Sequence, residues 1–134
     1  MKRELGTLRA AAARVEADLQ RTVDNGWSCT IDDTWVLTVG NAQQQEASAL
    51  VDEVEDAAWY LGRDQTPVER AAALDADADE AVASEVVEVL RVLGIEWPTC
   101  GEHNRSMMNC SGDWICNGPP SHAVALAGEL GKRH

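Results

Sequence analysis

The sequence predicts an α+β fold in which amphipathic helices pack on a β-hairpin and a C-terminal metal-binding knuckle closes the domain. Three observations carry this expectation. Over residues 3–24, 43–61 and 67–93 apolar side chains recur at spacings of three and four, the period of a helix with one buried face. Residues 27–39 instead alternate apolar and polar side chains, the period of a strand. Beyond Ile95 both periods stop, and glycine, proline, cysteine and histidine take over.

The chain of 134 residues is one domain's worth of sequence. Its 27 valines, isoleucines and leucines, with a net charge of -12 and no phenylalanine, place it near the border between folded and disordered compositions. Five tryptophans move it to the folded side, because each buries a large apolar surface. The expectation is a thin core with one added constraint. Residues 1–95 form the acidic helical and hairpin part, and residues 96–134 a Cys/His-rich tail packed on it as one structural unit.

The first helix carries Leu5, Leu8, Ala12, Val15, Leu19 and Val23 on one stripe and ends at Asn25-Gly26, where glycine enters the left-handed cap conformation without steric cost. A hairpin follows. A three-residue loop at Asp32-Asp33-Thr34 pairs Ile31 with Trp35, Cys29 with Leu37 and Trp27 with Val39, which keeps the apolar positions on one face. No glycine occupies its left-handed position, so Thr34 is strained there or the turn is irregular. Cys29 faces the core as a small hydrophobe.

A second helix is expected over 43–61, with Ala47, Leu50, Val51, Val54, Ala57, Ala58 and Leu61 on its apolar stripe and Gly62 at its end. Thr66-Pro67-Val68-Glu69 then reads as a capping box, with threonine to cap, proline at the first helical position and glutamate three residues on. The helix it starts meets Asp75-Ala76-Asp77-Ala78-Asp79-Glu80, and the sequence leaves open whether it continues unbroken. Val82, Val86, Val89, Leu90 and Leu93 share a face that stops at Gly94. Asp75, Asp77 and Asp79 have the first three spacings of a calcium loop, but Glu80 replaces the required glycine and Val86 the closing glutamate. A solvated helical segment is the better reading.

Charge limits the partners. Residues 41–93 hold thirteen acidic and three basic side chains, a surface that repels phosphate backbones and disfavours direct nucleic-acid binding. A protein partner, a basic one included, is compatible with it. So are mimicry of nucleic acid by the carboxylates of residues 46–88 and, as the commonest use of such a charge run, a merely solvated face. No secretory apolar run and no membrane span are present, so a cytoplasmic location is the default and the cysteines are expected as thiols or metal ligands.

The chemistry lies in residues 96–122. Cys100 and His103 are two residues apart, the spacing with which a tight turn points two ligand atoms at one metal; Cys110, Cys116 and His122 follow. Thiolate and imidazole suit zinc, which takes four ligands in a structural site. Five donors compete for four places: Cys100, His103, Cys110 and Cys116 are the favoured set, with His122 as the alternative fourth ligand. The competing readings are a Cys110–Cys116 disulfide across a hairpin turning at Ser111-Gly112-Asp113, which requires an oxidising compartment, and unliganded thiols in a small tail. Trp97 and Trp114 flank the knuckle and are expected to bury it against the helices.

The pattern Trp97-Pro98-x-Cys100-x-x-His103, then Trp114-x-Cys116, then Gly128-Glu129-Leu130 resembles the C-terminal tail of small uncharacterised proteins from actinobacteria and their phages. The resemblance covers about residues 85–130. It implies a shared tail built on Cys100, His103 and Cys116, with Cys110 and the stretch from Gly118 to His122 as its variable parts, and it carries no activity.

The expected function is therefore a non-enzymatic, zinc-stabilised acidic protein that acts as a protein-binding module. An inhibitor that mimics nucleic acid is the second reading. A zinc hydrolase using Cys100, His103 and Cys116, with water in the fourth place and Glu102 as base, is the third. The deaminase signature, His-Glu-x-x-His, the phosphate-binding glycine loop and the Gly-x-Ser-x-Gly elbow are all absent.

Overall fold

A computed structural model describes residues 3–50 and 65–132. In chain order the elements are helix α1 (Leu5–Thr22), strands β1 (Ser28–Ile31), β2 (Val36–Gly40) and β3 (Gln45–Ala49), helix α2 (Pro67–Val92), and strands β4 (Thr99–Cys100), β5 (Arg105–Cys110), β6 (Asp113–Cys116) and β7 (His122–Leu126). The strands form two antiparallel sheets in simple sequential order, β1-β2-β3 and β4-β5-β6-β7. The architecture is α+β, as the periodicities require.

α1 buries Leu8, Ala11, Ala12, Val15 and Leu19. These meet Val82, Ala83, Val86, Val89 and Leu90 of α2, and both sheets lay their inner faces on this helix pair. One buried cluster runs from Leu8 through Val39 and Leu90 to Trp114 and Cys116, so the tail shares its core with the preceding part. Val23 lies past the end of α1 and is exposed.

The hairpin forms with a shifted register. Cys29 pairs with Val39 and Ile31 with Leu37, in place of the expected Leu37 and Trp35 partners. Asp32 N donates to Val36 O, so the three-residue loop is Asp33-Thr34-Trp35. The Asp32 carboxylate selects this turn by accepting from Thr34 N, Thr34 Oγ1 and Val36 N at 2.8, 2.6 and 3.1 Å. The left-handed residue is Trp35, at φ 67°, rather than Thr34. The two-residue difference in pairing preserves side-chain parity, so Cys29, Ile31, Leu37 and Val39 still face inward, as expected. Burial, reinforced by Glu16, pushes the Cys29 thiol up to about 12.

The expected second helix does not begin where its spacing places it. Gln45–Ala49 is a strand paired along β2, Val39 opposite Glu46 and Leu37 opposite Ser48. It is an edge strand exposed along most of its length. Helical spacing at Ala47 and Leu50 had no buried helix face to serve here, and the ladder with β2 decided the conformation. The rest of that expected helix, Val51 to Gly62, lies outside the described residues.

α2 is one unbroken helix. Its capping box is present as read: Glu69 N donates to Thr66 Oγ1 at 3.1 Å and Thr66 N to Glu69 Oε1 at 3.4 Å. The acidic stretch remains helical because α1 and the residues just before it supply cations to it. Arg3 holds both oxygens of Asp77, at 2.8 and 3.1 Å, and Arg14 Nε donates to Asp79 Oδ1 at 2.8 Å. The calcium spacing is thus filled by guanidinium groups. Gly94 closes the helix at φ 83°.

Candidate metal centre

Each strand of the second sheet except β5 supplies or aligns a donor. Cys100 ends β4, and a turn after it carries His103; Asn104, at φ 52°, closes this turn by donating its N–H to Cys100 O at 2.7 Å. β5 and β6 turn at Ser111-Gly112, both at positive φ, which sets Cys116 opposite Met107. β7 returns antiparallel to β6 with a bulge at Val124: Trp114 pairs with Ala125, but Ile115 pairs with Ala123 and Cys116 with His122. Without that extra residue Cys116 would oppose Ala123, and His122 would project from the other face. The bulge is what aims His122 at the thiols.

The result is a four-donor cluster, Cys100, His103, Cys116 and His122, whose ligand atoms all lie within 4.8 Å of one another. Cys100 Sγ is 3.8 Å from His103 Nδ1 and 3.7 Å from His122 Nε2, and Cys116 Sγ is 3.5 Å from His103 Nδ1. A tetrahedral cation with metal–sulfur bonds of about 2.3 Å and metal–nitrogen bonds of about 2.0 Å requires sulfur–nitrogen edges of about 3.5 Å. The three sulfur–nitrogen distances above lie within about 0.3 Å of that edge. Both cysteines are buried and both histidines half-buried.

The surroundings support ligation. Backbone N–H groups of His103 and Glu102 and the His103 and Cys116 side chains hold the Cys100 thiol down at about 6, where the thiolate predominates at neutral pH. Gly118 N approaches Cys116 Sγ at 3.4 Å. A Cβ on Gly118 would lie 2.7 Å from His103 Cγ, so only glycine lets the ring sit where it does. His122 Nδ1 is 3.2 Å from Pro120 O; donating a proton there leaves the Nε2 lone pair for a cation. The same carbonyl, with Cys100 and Glu102, raises the His122 pKa.

Three of the four favoured ligands, Cys100, His103 and Cys116, come together, and the alternative His122 stands in the fourth place. Cys110 does not join them. It pairs with Asp113 at the turn, three residues along β5 from the Met107 opposite Cys116, or about 10 Å at strand rise. Burial and the charges of Glu80 and Asp113 push its thiol pKa up, opposite to what a ligand needs. The same separation rules out the Cys110–Cys116 disulfide, whose Cα atoms must lie within about 7 Å. The cysteines are free thiols.

Trp114 is fully buried and Trp97 nearly so, and they meet edge to face at 5.2 Å between centroids. Trp97 Nε1 donates to Thr22 Oγ1 of α1 at 2.8 Å. They pack the knuckle on the helices, as the sequence suggests. Of the adjacent methionines, Met107 is buried and Met108 exposed.

Among the described residues no helix is long and apolar enough to cross a membrane. No family model, curated protein or solved structure matches this chain.

Proposed function

We propose that this chain is a non-enzymatic protein-binding module whose C-terminal sheet is held by a structural zinc ion. The observation that carries the reading is the donor set: two thiols and two imidazoles, all supplied by the protein, within 4.8 Å of one another and with three sulfur–nitrogen distances of 3.5–3.8 Å. Thiolate paired with imidazole favours zinc over the oxygen-seeking calcium and magnesium. Four protein ligands complete the tetrahedron, which leaves no place for the water or substrate that a hydrolase needs. Glu102, the expected base of such an enzyme, is largely exposed and lies 4.0 Å from His122. A reducing, cytoplasmic setting belongs to this reading, since it keeps the thiols available.

The binding role rests on charge. The acidic middle of the chain favours a protein partner, a basic one included, and disfavours nucleic acid. Asp77 and Asp79 face arginines within the domain, which withdraws two carboxylates from any imitation of a phosphate ladder. Metal analysis of untagged protein tests the zinc. One equivalent per chain is expected, and a value near zero defeats the reading.

A further inference from the structure

β4 pairs only with Arg105 and Ser106, and Pro98 O takes Met107 N at 2.8 Å; beyond that point, among the described residues, no strand pairs with the side of β5 away from β6. Because Met107 N points to that side, alternation along the antiparallel ladder turns the N–H and C=O of Asn109 the same way. Among the described residues neither group has a partner. Asn109 as a whole residue is 5% exposed; its Oδ1 accepts from Gly112 N at 3.0 Å, and its buried Nδ2 has no hydrogen-bond partner among the described residues. Three unpaired polar groups therefore converge at one residue.

They face a groove. Cavities of about 420, 280 and 380 Å³ follow one another where α2 passes the β5 edge; Val87, Arg91 and Ser106 are common to the first two, and Ser84, Met108 and Asn109 to the last two. From Ser106 to Cys110 the strand wall is about 13 Å long at 3.3 Å per residue, which fits four or five residues of extended chain. The α2 wall is acidic, with Glu80, Glu85 and Glu88. Of the two arginines in the groove, Arg3 is held by Asp77 and Arg91 by Glu88.

We propose that this groove takes an extended basic segment of a partner protein, bridged in strand fashion to the Asn109 edge of β5, which is unpaired among the described residues. Main-chain pairing gives such a site its affinity, and the side-chain pattern gives its specificity. Alternate residues of the segment turn apolar groups toward Val87 and Met107, and lysine or arginine toward the glutamates. The proposal rests on the protein-binding reading above and names the partner's chemistry.

The test is selection of a displayed random peptide library on the full zinc-loaded chain, followed by titration of one synthetic winner. Winners are expected to alternate apolar and basic residues and to shift the Asn109 amide resonance. Affinity should fall at least tenfold in Ser84→Arg and in Glu88→Lys, both exposed positions on the α2 wall, and fall with added salt. Val68→Arg, at the exposed start of α2, should leave it unchanged. Failure to enrich any sequence, acidic or patternless winners, or winners indifferent to both wall variants overturn the groove. So does self-association of the chain that Ser84→Arg abolishes, which would give the groove to a second copy. Indifferent winners leave the module reading standing, whereas zinc content of the same sample tests the metal reading separately.

Discussion

Trp114 Nε1 donates to Asp18 Oδ2 at 2.9 Å across 96 residues of chain, joining the middle of the second sheet to α1 inside the core. The same carboxylate accepts from Gly128 N and Leu130 N, each at 2.9 Å, with Arg21 3.5 Å away. Asp18 is fully buried, yet every bond it makes is to a donor.

Removing that acceptor strands three donors. Asp18→Ala should cost about 3–5 kcal/mol in urea unfolding, the range for deleting one member of a buried charged network. Burial raises the Asp18 pKa above 3.8, against the pull of its donors and Arg21. A raised folded-state value means that the contribution is greatest below 3.8 and declines as pH rises through the folded pKa. The stability gap between wild type and Asp18→Asn should therefore widen as pH falls.

Thiol counting separates ligands from bystanders. In zinc-loaded protein only Cys110, the one half-exposed thiol, should react with a thiol reagent, slowly because its pKa is raised, since Cys100 and Cys116 are occupied and Cys29 is buried with its thiol near 12. Chelation should bring the reacting number to three, read by mass spectrometry.

Exchange of the fourth ligand is equally direct. Cys110→Ser should leave zinc content unchanged. His122→Ala should weaken zinc by more than the roughly 10–100-fold lost with an outer-shell partner, measured by competition with a chromogenic chelator.

Gly118→Ala tests the packing beside the cluster. The added methyl meets His103 Cγ at 2.7 Å and must displace the ring. Zinc affinity should drop although no ligand has changed, and the thiols should react as in chelated protein.

Thr66→Ala removes the acceptor for Glu69 N and should cost about 1 kcal/mol, read as a lower thermal midpoint with zinc content intact.

Local rules made α1 and the start of α2 legible, because the Leu8-to-Leu19 stripe and the Thr66–Glu69 box need only neighbours in sequence. The tail was legible as a donor cluster for the same reason. What escaped was set at a distance. β3 has both faces largely exposed, so Gln45–Ala49 carries no alternation to betray a strand. The hairpin loop moved by one residue because the Asp32 side chain, rather than a glycine, builds the turn. His122 replaced Cys110 through the Val124 bulge, and in the sequence nothing marks that valine as the extra residue. The cations that keep α2 intact at Asp77 and Asp79 lie more than sixty positions earlier.

The cluster also has a mechanical meaning. Cys100 and His122 are 22 residues apart in the chain and nearly touching in space. With a cation bound between them, a pull on the two termini bypasses everything in that span. About 75 Å of extensible length stays hidden, at roughly 3.4 Å per residue, until a bond to the metal breaks. The sheet would then lengthen in one abrupt step, and a chelator would turn the same stretch into slack.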